Sequence, residues 1–258
     1  VVPDTPPFDA PTVSRRRFGL ALVFAVVAVA GAGVELYFER GGSRKVFRAV
    51  KLAPSQVLDL SIWKIGLPTT KEIKQPQLET YSDASFSVVS AVQFTARCGD
   101  VAQAGSKYAR SELREMNHDG SQASWSTTSG THIMSLTQTI THLPVKKPQL
   151  ICGQIHNSTD YLIMVEIDGT NLYVRNRDAT AGVLDAKYRL GTPFDLQISV
   201  NGGLVTVTYN GVEKAHIPLL ETGCYFKAGC YVQSNTASGD LPTAYGQVEI
   251  SRLDISHT

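Results

Sequence analysis

Charge of either sign is the first thing this sequence fails to accumulate. Its 24 Lys and Arg face 23 Asp and Glu, a net +1. No global positive field exists to hold a polyanion by counterion release, so nucleic acid is a poor partner and any acidic ligand must be gripped by local groups. Cysteine is scarce as well, four in 258 residues with no C-x-x-C pair, which excludes a disulfide scaffold, a zinc ribbon and a thioredoxin-type centre. Cys224 and Cys230, six apart on one strand, would lie about 20 Å apart and could not bridge each other. His118, His132, His142 and His216 have no metal-ligand spacing with nearby acids, so neither a metal nor another cofactor is expected. The sequence also lacks internal repeats, a glycine-rich phosphate loop and, after residue 53, any sustained 3.6-residue apolar period. Helices should therefore be short and peripheral.

The amino-terminal segment has a pattern of its own. Ser14-Arg15-Arg16-Arg17 precedes seventeen uncharged, mostly apolar residues from Phe18 to Val34, short of the ~20 that span a bilayer comfortably. Ala30-Gly31-Ala32 resembles a signal peptidase site, and the doubled arginine resembles a twin-arginine export signal. Residues 1–32 are expected to be an export signal, or else an uncleaved signal anchor lengthened by Tyr37 and Phe38. Either places the remainder outside the cytoplasm, secreted or anchored to the membrane. Without that segment the chain carries 21 basic and 21 acidic residues and is neutral. Residues 33–53, with Gly41-Gly42-Ser43-Arg44-Lys45, read as a linker.

From Pro54 to the end the texture is β-rich. Phe86, Val88 and Phe94 sit among Ser and Thr. Tyr161 to Ile167 runs into Asp168-Gly169, Leu196 to Val200 into Asn201-Gly202-Gly203, and Leu204 to Tyr209 into Asn210-Gly211, followed by Val212 to Ile217. Such turns between short strands predict antiparallel hairpins in an all-β sandwich, and about 205 residues in one unit fits a two-sheet jelly roll.

Three of these strands place large polar side chains on one face. Period two puts Arg110, Glu112 and Arg114 together, about 6.7 Å apart along the strand. Gln154 and His156 share a face while Ile155 turns away. Tyr225, Lys227, Tyr231 and Gln233 point one way, and Cys224, Phe226, Ala228, Cys230 and Val232 point to the core. Alternation alone is what any half-exposed strand shows, so a solvated outer face is the plain alternative. A Tyr beside a Lys and two Arg suits better a site that holds a carboxylate and moves a proton.

Arg110-Ser-Glu-Leu-Arg-Glu115, Gln154-Ile-His156 and Tyr225-Phe-Lys-Ala-Gly-Cys-Tyr-Val-Gln233 resemble, in order, three signature segments of the polysaccharide lyase family 7 alginate lyases. Leu58-Asp-Leu-Ser-Ile-Trp-Lys-Ile-Gly-Leu-Pro68 resembles that family's domain start. Ile62, Gly66 and Val232 depart from its usual Asn, Thr and Asn. The resemblance covers residues 54–258 and implies a catalytic jelly roll with a concave substrate cleft. It implies eliminative, endo-acting cleavage of alginate or a related anionic polysaccharide, by a monomer, without a metal. Ile155 between Gln154 and His156 goes, within that family, with guluronate-containing substrate. A non-catalytic carbohydrate-binding jelly roll and a lyase for another polyuronate such as glucuronan are the alternatives.

The chemistry assigns roles. A lyase removes the C5 proton of a uronate and expels the C4 oxygen, so the site must disperse the carboxylate charge. Arg110 and Gln154 fit that task. Tyr231 is expected to shuttle the proton, as its match to the family's catalytic Tyr implies. A free phenol titrates near pH ~10 and needs about 2.7 kcal/mol of differential stabilisation to drop two units, for which Lys227 and the arginines are the source. Neutral His156 can act as base or orient the sugar. Glu112 is expected to pair with Arg110 or Arg114, and Arg114, Tyr225, Lys227 and Gln233 to bind neighbouring sugars. Trp63 and Trp125 are expected in the core, and Asn157-Ser158-Thr159 is a glycosylation sequon by pattern only.

Overall fold

The computed structural model describes residues 52–258 throughout and, before them, the backbone of three strands: β1 (Ala25–Ala30), β2 (Gly33–Arg40) and β3 (Ser43–Arg48). These pair antiparallel in a sheet of their own. Two paired strands thus occupy the stretch expected to be a linker, where Val34, Leu36 and Phe38 alternate as strand residues do. The expected export segment falls for the most part outside the described residues. Val1–Lys51 and Leu52–Thr258 are separate units.

The second unit is built from β4 (Trp63–Gly66), β5 (Glu72–Ile73), β6 (Phe86–Val88), β7 (Val92–Arg97), β8 (Arg110–Glu115), β9 (Thr131–His142), β10 (Gln149–His156) and β11 (Tyr161–Asp168). It continues through β12 (Asn171–Asn176), β13 (Ala179–Asp185), β14 (Pro193–Asn201), β15 (Leu204–Tyr209), β16 (Val212–Pro218), β17 (Tyr225–Val232) and β18 (Tyr245–His257). Among the described residues the helices are three single 3₁₀ turns, Pro54–Gln56, Gln77–Glu79 and Thr236–Ser238. None is long and apolar enough to cross a membrane.

The strands form two antiparallel sheets, a jelly roll. One has the order β13-β12-β11-β10-β17-β8-β4-β5 and the other β16-β15-β14-β9-β18-β7-β6. The hairpin turns fall where the sequence marks them. Gly202 and Gly203 join β14 to β15, and Asn210 and Gly211 join β15 to β16, all four with positive φ as a tight primed turn requires. Apolar residues at alternate positions meet between the sheets: Gly153 faces Leu196, Met134 and Leu136, while Gly246 lies against Val232, Leu150 and Cys230. Phe86 and Phe94, both fully buried, pack with their rings tilted and centroids 5.1 Å apart.

Trp63 is buried in this core. Trp125 is half-buried and tied in by its indole N–H, which donates to Glu115 at 3.0 Å. Buried Glu115 also accepts from the Phe226 backbone N–H at 2.7 Å and lies 2.8 Å from His257 Nε2. One carboxylate therefore joins β8, β17, β18 and the Trp125 loop. His132 stacks on Trp125 with centroids 4.3 Å apart, a packing position rather than a ligand position.

Candidate active site

The three polar strands of the sequence are neighbours in the eight-stranded sheet, in the order β10-β17-β8. Their register sets Gln154 opposite Lys227 and Lys227 opposite Arg114; it also sets His156 opposite Tyr225 and Tyr231 opposite Arg110. Strict alternation would put Cys152 on the same face as Gln154. The ladder shifts between Ile151 and Gly153, and Cys152 instead turns into the core, where Gln138 of the other sheet reaches its sulfur at 3.6 Å.

The outer face is hollowed into two adjoining cavities. One of about 420 Å³ is lined by Arg110, Glu112, Arg114, His156, Tyr225 and Lys227, together with Lys64, Glu72 and Gln103. The other, about 400 Å³, is lined by Arg110, Gln154, His156, Tyr231 and Gln233, together with Ser106, Tyr161 and Arg175. All nine residues singled out in the sequence line one cavity or the other. Arg110 and His156 line both and mark where they meet.

A solvated face would leave these side chains in water. Glu112 is 2 % exposed, Gln154 1 % and Lys227 7 %. Burying that much polarity is costly unless each group is satisfied, and Glu112 is the acceptor that satisfies them. It takes Lys227 Nζ at 2.5 Å and Arg110 Nη1 at 3.2 Å on one oxygen, and the Gln154 amide N–H on the other. Burial opposes its charge, yet Lys227 and Arg110 outweigh burial and hold its carboxyl below the usual range. Burial pushes the Lys227 ammonium down to about 8 against the pull of Glu112.

Arg114 is not a partner of Glu112, contrary to one of the two pairings expected. Its guanidinium lies 3.8 Å over the Tyr225 ring and donates to the Glu115 carbonyl and to Gln122, each at 2.9 Å. Tyr225 stacks on His156, with centroids 5.5 Å apart, and burial raises its phenol.

The carbonyl of Asn157 lies 2.6 Å from His156 Nδ1. A carbonyl only accepts, so Nδ1 carries the hydrogen and Nε2 keeps its lone pair. Burial lowers the imidazole below its ordinary value, with Lys227 adding to the effect against the Asn157 bond. At and above its ordinary value the ring is therefore uncharged, with Nε2 able to accept a proton.

Tyr231 has Arg110 over its ring at 3.8 Å and its hydroxyl 2.8 Å from Ser106 Oγ. Lys227, expected to help this phenol, is bound to Glu112 and lines the other cavity; the cation beside Tyr231 is Arg110. Arg110 Nε and Gln103 Nε2 are both buried without a protein partner. Among the described residues no group of three or more His, Cys, Asp or Glu could hold a metal ion.

Sequence reasoning missed Ser106, Gln103, Lys64 and Arg175. Ser106 and Gln103 sit on a loop, where no periodicity points to the cleft. Lys64 and Arg175 continue the alternating pattern on β4 and β12 and could have been found by extending it to neighbouring strands.

A family model described as alginate lyase matches residues 58–257. Among solved structures, alginate lyase AlgAT5 from polysaccharide lyase family 7 is 47 % identical over 80 % of this chain and 99 % of its own, with a TM-score of 0.79. An alginate lyase from Corynebacterium sp. is 41 % identical over 80 % and 98 %, with a TM-score of 0.76. The family 7 alginate lyase A1-II', in a variant crystallised with product, is 28 % identical over 80 % and 99 %, with a TM-score of 0.69. Comparison with curated proteins gave no match.

Proposed function

This chain belongs to the polysaccharide lyase family 7 alginate lyases, and we propose that it is an exported, endo-acting enzyme that cleaves guluronate-containing alginate by β-elimination. The observation that carries the site assignment is the junction of the two cavities, where Arg110 and His156 meet between Gln154 and Tyr231 on one side and Lys227 on the other. A uronate seated there has its carboxylate beside the Arg110 guanidinium, which lines both cavities, and the second amide N–H of Gln154. Both donors face charge that grows as the C5 proton leaves, so they stabilise the transition state more than the ground state.

Guluronate and mannuronate differ at C5, so the proton lies on opposite sides of the ring relative to the leaving oxygen. Where proton and leaving oxygen share a side, Tyr231 takes the one and returns it to the other. Where they do not, His156 Nε2 is the base and Tyr231 the acid. Arg114, Tyr225, Lys227 and Gln233 hold neighbouring sugars, with Glu112 fixing Arg110 and Lys227. Export rests on Arg15-Arg16-Arg17 before an uncharged run, and guluronate acceptance on Ile155, whose buried side chain acts only indirectly.

The test is incubation with alginate while following ultraviolet absorbance of the new C4=C5 bond. Wild type produces it, and folded Tyr231→Phe does not, on either block type. A folded Tyr231→Phe of near-normal rate removes the mechanism, and absorbance from glucuronan but not alginate changes the substrate.

A further inference from the structure

We propose that Ser106 is a positioning residue for the reaction: its hydroxyl stays hydrogen-bonded to Tyr231 Oη in both proton states and links that oxygen to Arg110. The proposal rests on the reading of Tyr231 as proton shuttle. Ser106 itself lies outside the three signature strands, while its partners Tyr231 and Arg110 lie on two of them. Gln103 to Ser106 forms a tight turn, closed by the Ser106 N–H donating to the Gln103 carbonyl at 2.9 Å, with Gly105 at a φ of 78°. Only a residue free of Cβ strain suits that third position. Beyond Ser106 the loop is held by Asn235, which donates to the Lys107 carbonyl at 3.2 Å. The turn brings Ser106 Oγ to 2.8 Å from Tyr231 Oη, 2.9 Å from Arg110 Nη2 and 3.0 Å from the Tyr108 carbonyl, with the Tyr108 N–H a longer donor to it at 3.4 Å.

Proton accounting gives the role. Arg110 can only donate, so Ser106 Oγ accepts from it in every state. Ser106 has one hydrogen of its own and two acceptors within reach. While Tyr231 holds its proton, Tyr231 donates to Ser106 and Ser106 donates to the Tyr108 carbonyl. When Tyr231 is the phenolate, the Ser106 hydroxyl turns and donates to it. In the same-side reaction the C5–H bond breaks as the Tyr231 O–H bond forms. The electron pair makes C4=C5, the C4–O bond breaks, and the leaving oxygen takes the proton from Tyr231, which ends as it began. Through the whole cycle the phenolic oxygen keeps a partner that can give or take a hydrogen, so it does not swing out of line.

The experiment compares Ser106→Ala, Ser106→Thr and Tyr231→Phe by kcat and KM on mannuronate-rich alginate across pH. With Ser106→Ala the phenolate loses its donor. We expect kcat to fall about tenfold with KM near wild type, and the rising limb of the rate profile to move up by about one pH unit, equal to about 1.4 kcal/mol. Ser106→Thr, which keeps the hydroxyl on a partly exposed residue, restores both, and Tyr231→Phe is inactive. An unmoved limb in Ser106→Ala, a loss confined to KM, or no rescue by Thr overturns the role of Ser106 while inactive Tyr231→Phe leaves the shuttle standing. Near-normal turnover by Tyr231→Phe overturns both together.

Discussion

Glu112→Gln removes the one negative charge at the centre of the site and keeps its shape. In the wild type that carboxylate, its side chain 1 % exposed, binds Arg110, Lys227 and Gln154. Breaking a buried pair by deleting one partner costs about 3–5 kcal/mol, because the other charge is left in a poor solvent. Two features place this case at the lower end. The Arg110 side chain is 13 % exposed and open to cleft water. Lys227, already down to about 8, can shed its proton near neutrality for about 1.4 kcal/mol or less. The expected loss is about 3 kcal/mol, which for the unit Leu52–Thr258 lowers Tm by roughly 6–12 °C. The pH dependence has a definite sign. Glu112 has a depressed folded value, so its contribution is present above the unfolded value of ~4.3 and is lost as pH falls through the folded one. Lys227 is a base with a depressed folded value, so between about 8 and the unfolded ~10.4 the unfolded chain binds more protons and stability rises with pH. In Glu112→Gln that rise starts lower, so the gap to wild type shrinks as pH climbs toward 8. Calorimetry or thermal circular dichroism should therefore show the widest gap near pH ~5–6 and a narrower one at pH ~3 and pH ~9. Glu112→Gln with Lys227→Met should recover much of the loss, since a buried ion pair replaced by apolar groups is often neutral. A gap that is equal at all three pH values, or below about 1 kcal/mol at its widest, would refute the electrostatic reading.

Burial holds the His156 imidazole below its unfolded value of ~6.5, so as pH falls the unfolded chain takes the proton first and the native state loses stability there. The acid limb of guluronate cleavage should have its midpoint below pH ~6.5 and vanish in His156→Asn; persistence of that limb in the variant would assign it to another group. His156→Ala should cost ~10²–10⁴-fold on guluronate blocks and less on mannuronate blocks, measured as initial rates; equal mild losses would make it a binding residue. Gly229→Ala adds a Cβ 2.6 Å from the Ser111 carbonyl oxygen, at a φ of 137°, and should lower Tm by at least about 5 °C by forcing β17 from β8. Gly153→Ala is its mild control, since the nearest atom there is Leu196 Cδ2 at 3.4 Å.

The strands and turns were legible because their signals are local. Period-two alternation put Phe226, Ala228, Cys230 and Val232 in the core, and all four are fully buried. Asn210-Gly211 and Gly202-Gly203 specify hairpin geometry within two residues, whatever surrounds them. The partner of Glu112 was only half legible, because a single strand offers Arg110 and Arg114 as equals. The neighbouring strand decides between them. Gly229 stands opposite Glu112 with no side chain, and Lys227, two residues along, takes the diagonal approach that this leaves open. Ser106 and Gln103 were not legible at all, since a loop residue reaches a site through turn geometry that leaves no periodic trace.

A chain of near-zero net charge that binds a polyanion must separate binding charge from balancing charge, and this cleft does so within one sheet face. Carboxylates balance some of its cations: Glu72 lies 2.7 Å from Lys64, and Glu112 takes both Lys227 and Arg110. Arg114 is held by a carbonyl, an amide and an aromatic ring, and Arg110 by Glu112, Ser106 and the Tyr231 ring. These two guanidinium groups are four residues apart on β8, about 13 Å along the strand. A single carboxylate cannot reach both, whereas a polymer with one carboxylate on every sugar meets each in turn. A diffuse positive surface would attract any polyanion and release it with salt. Fixed, half-buried guanidinium groups that already stack on Tyr225 and Tyr231 instead favour a chain whose charges recur in register, and they lose little side-chain entropy on binding because they are already held.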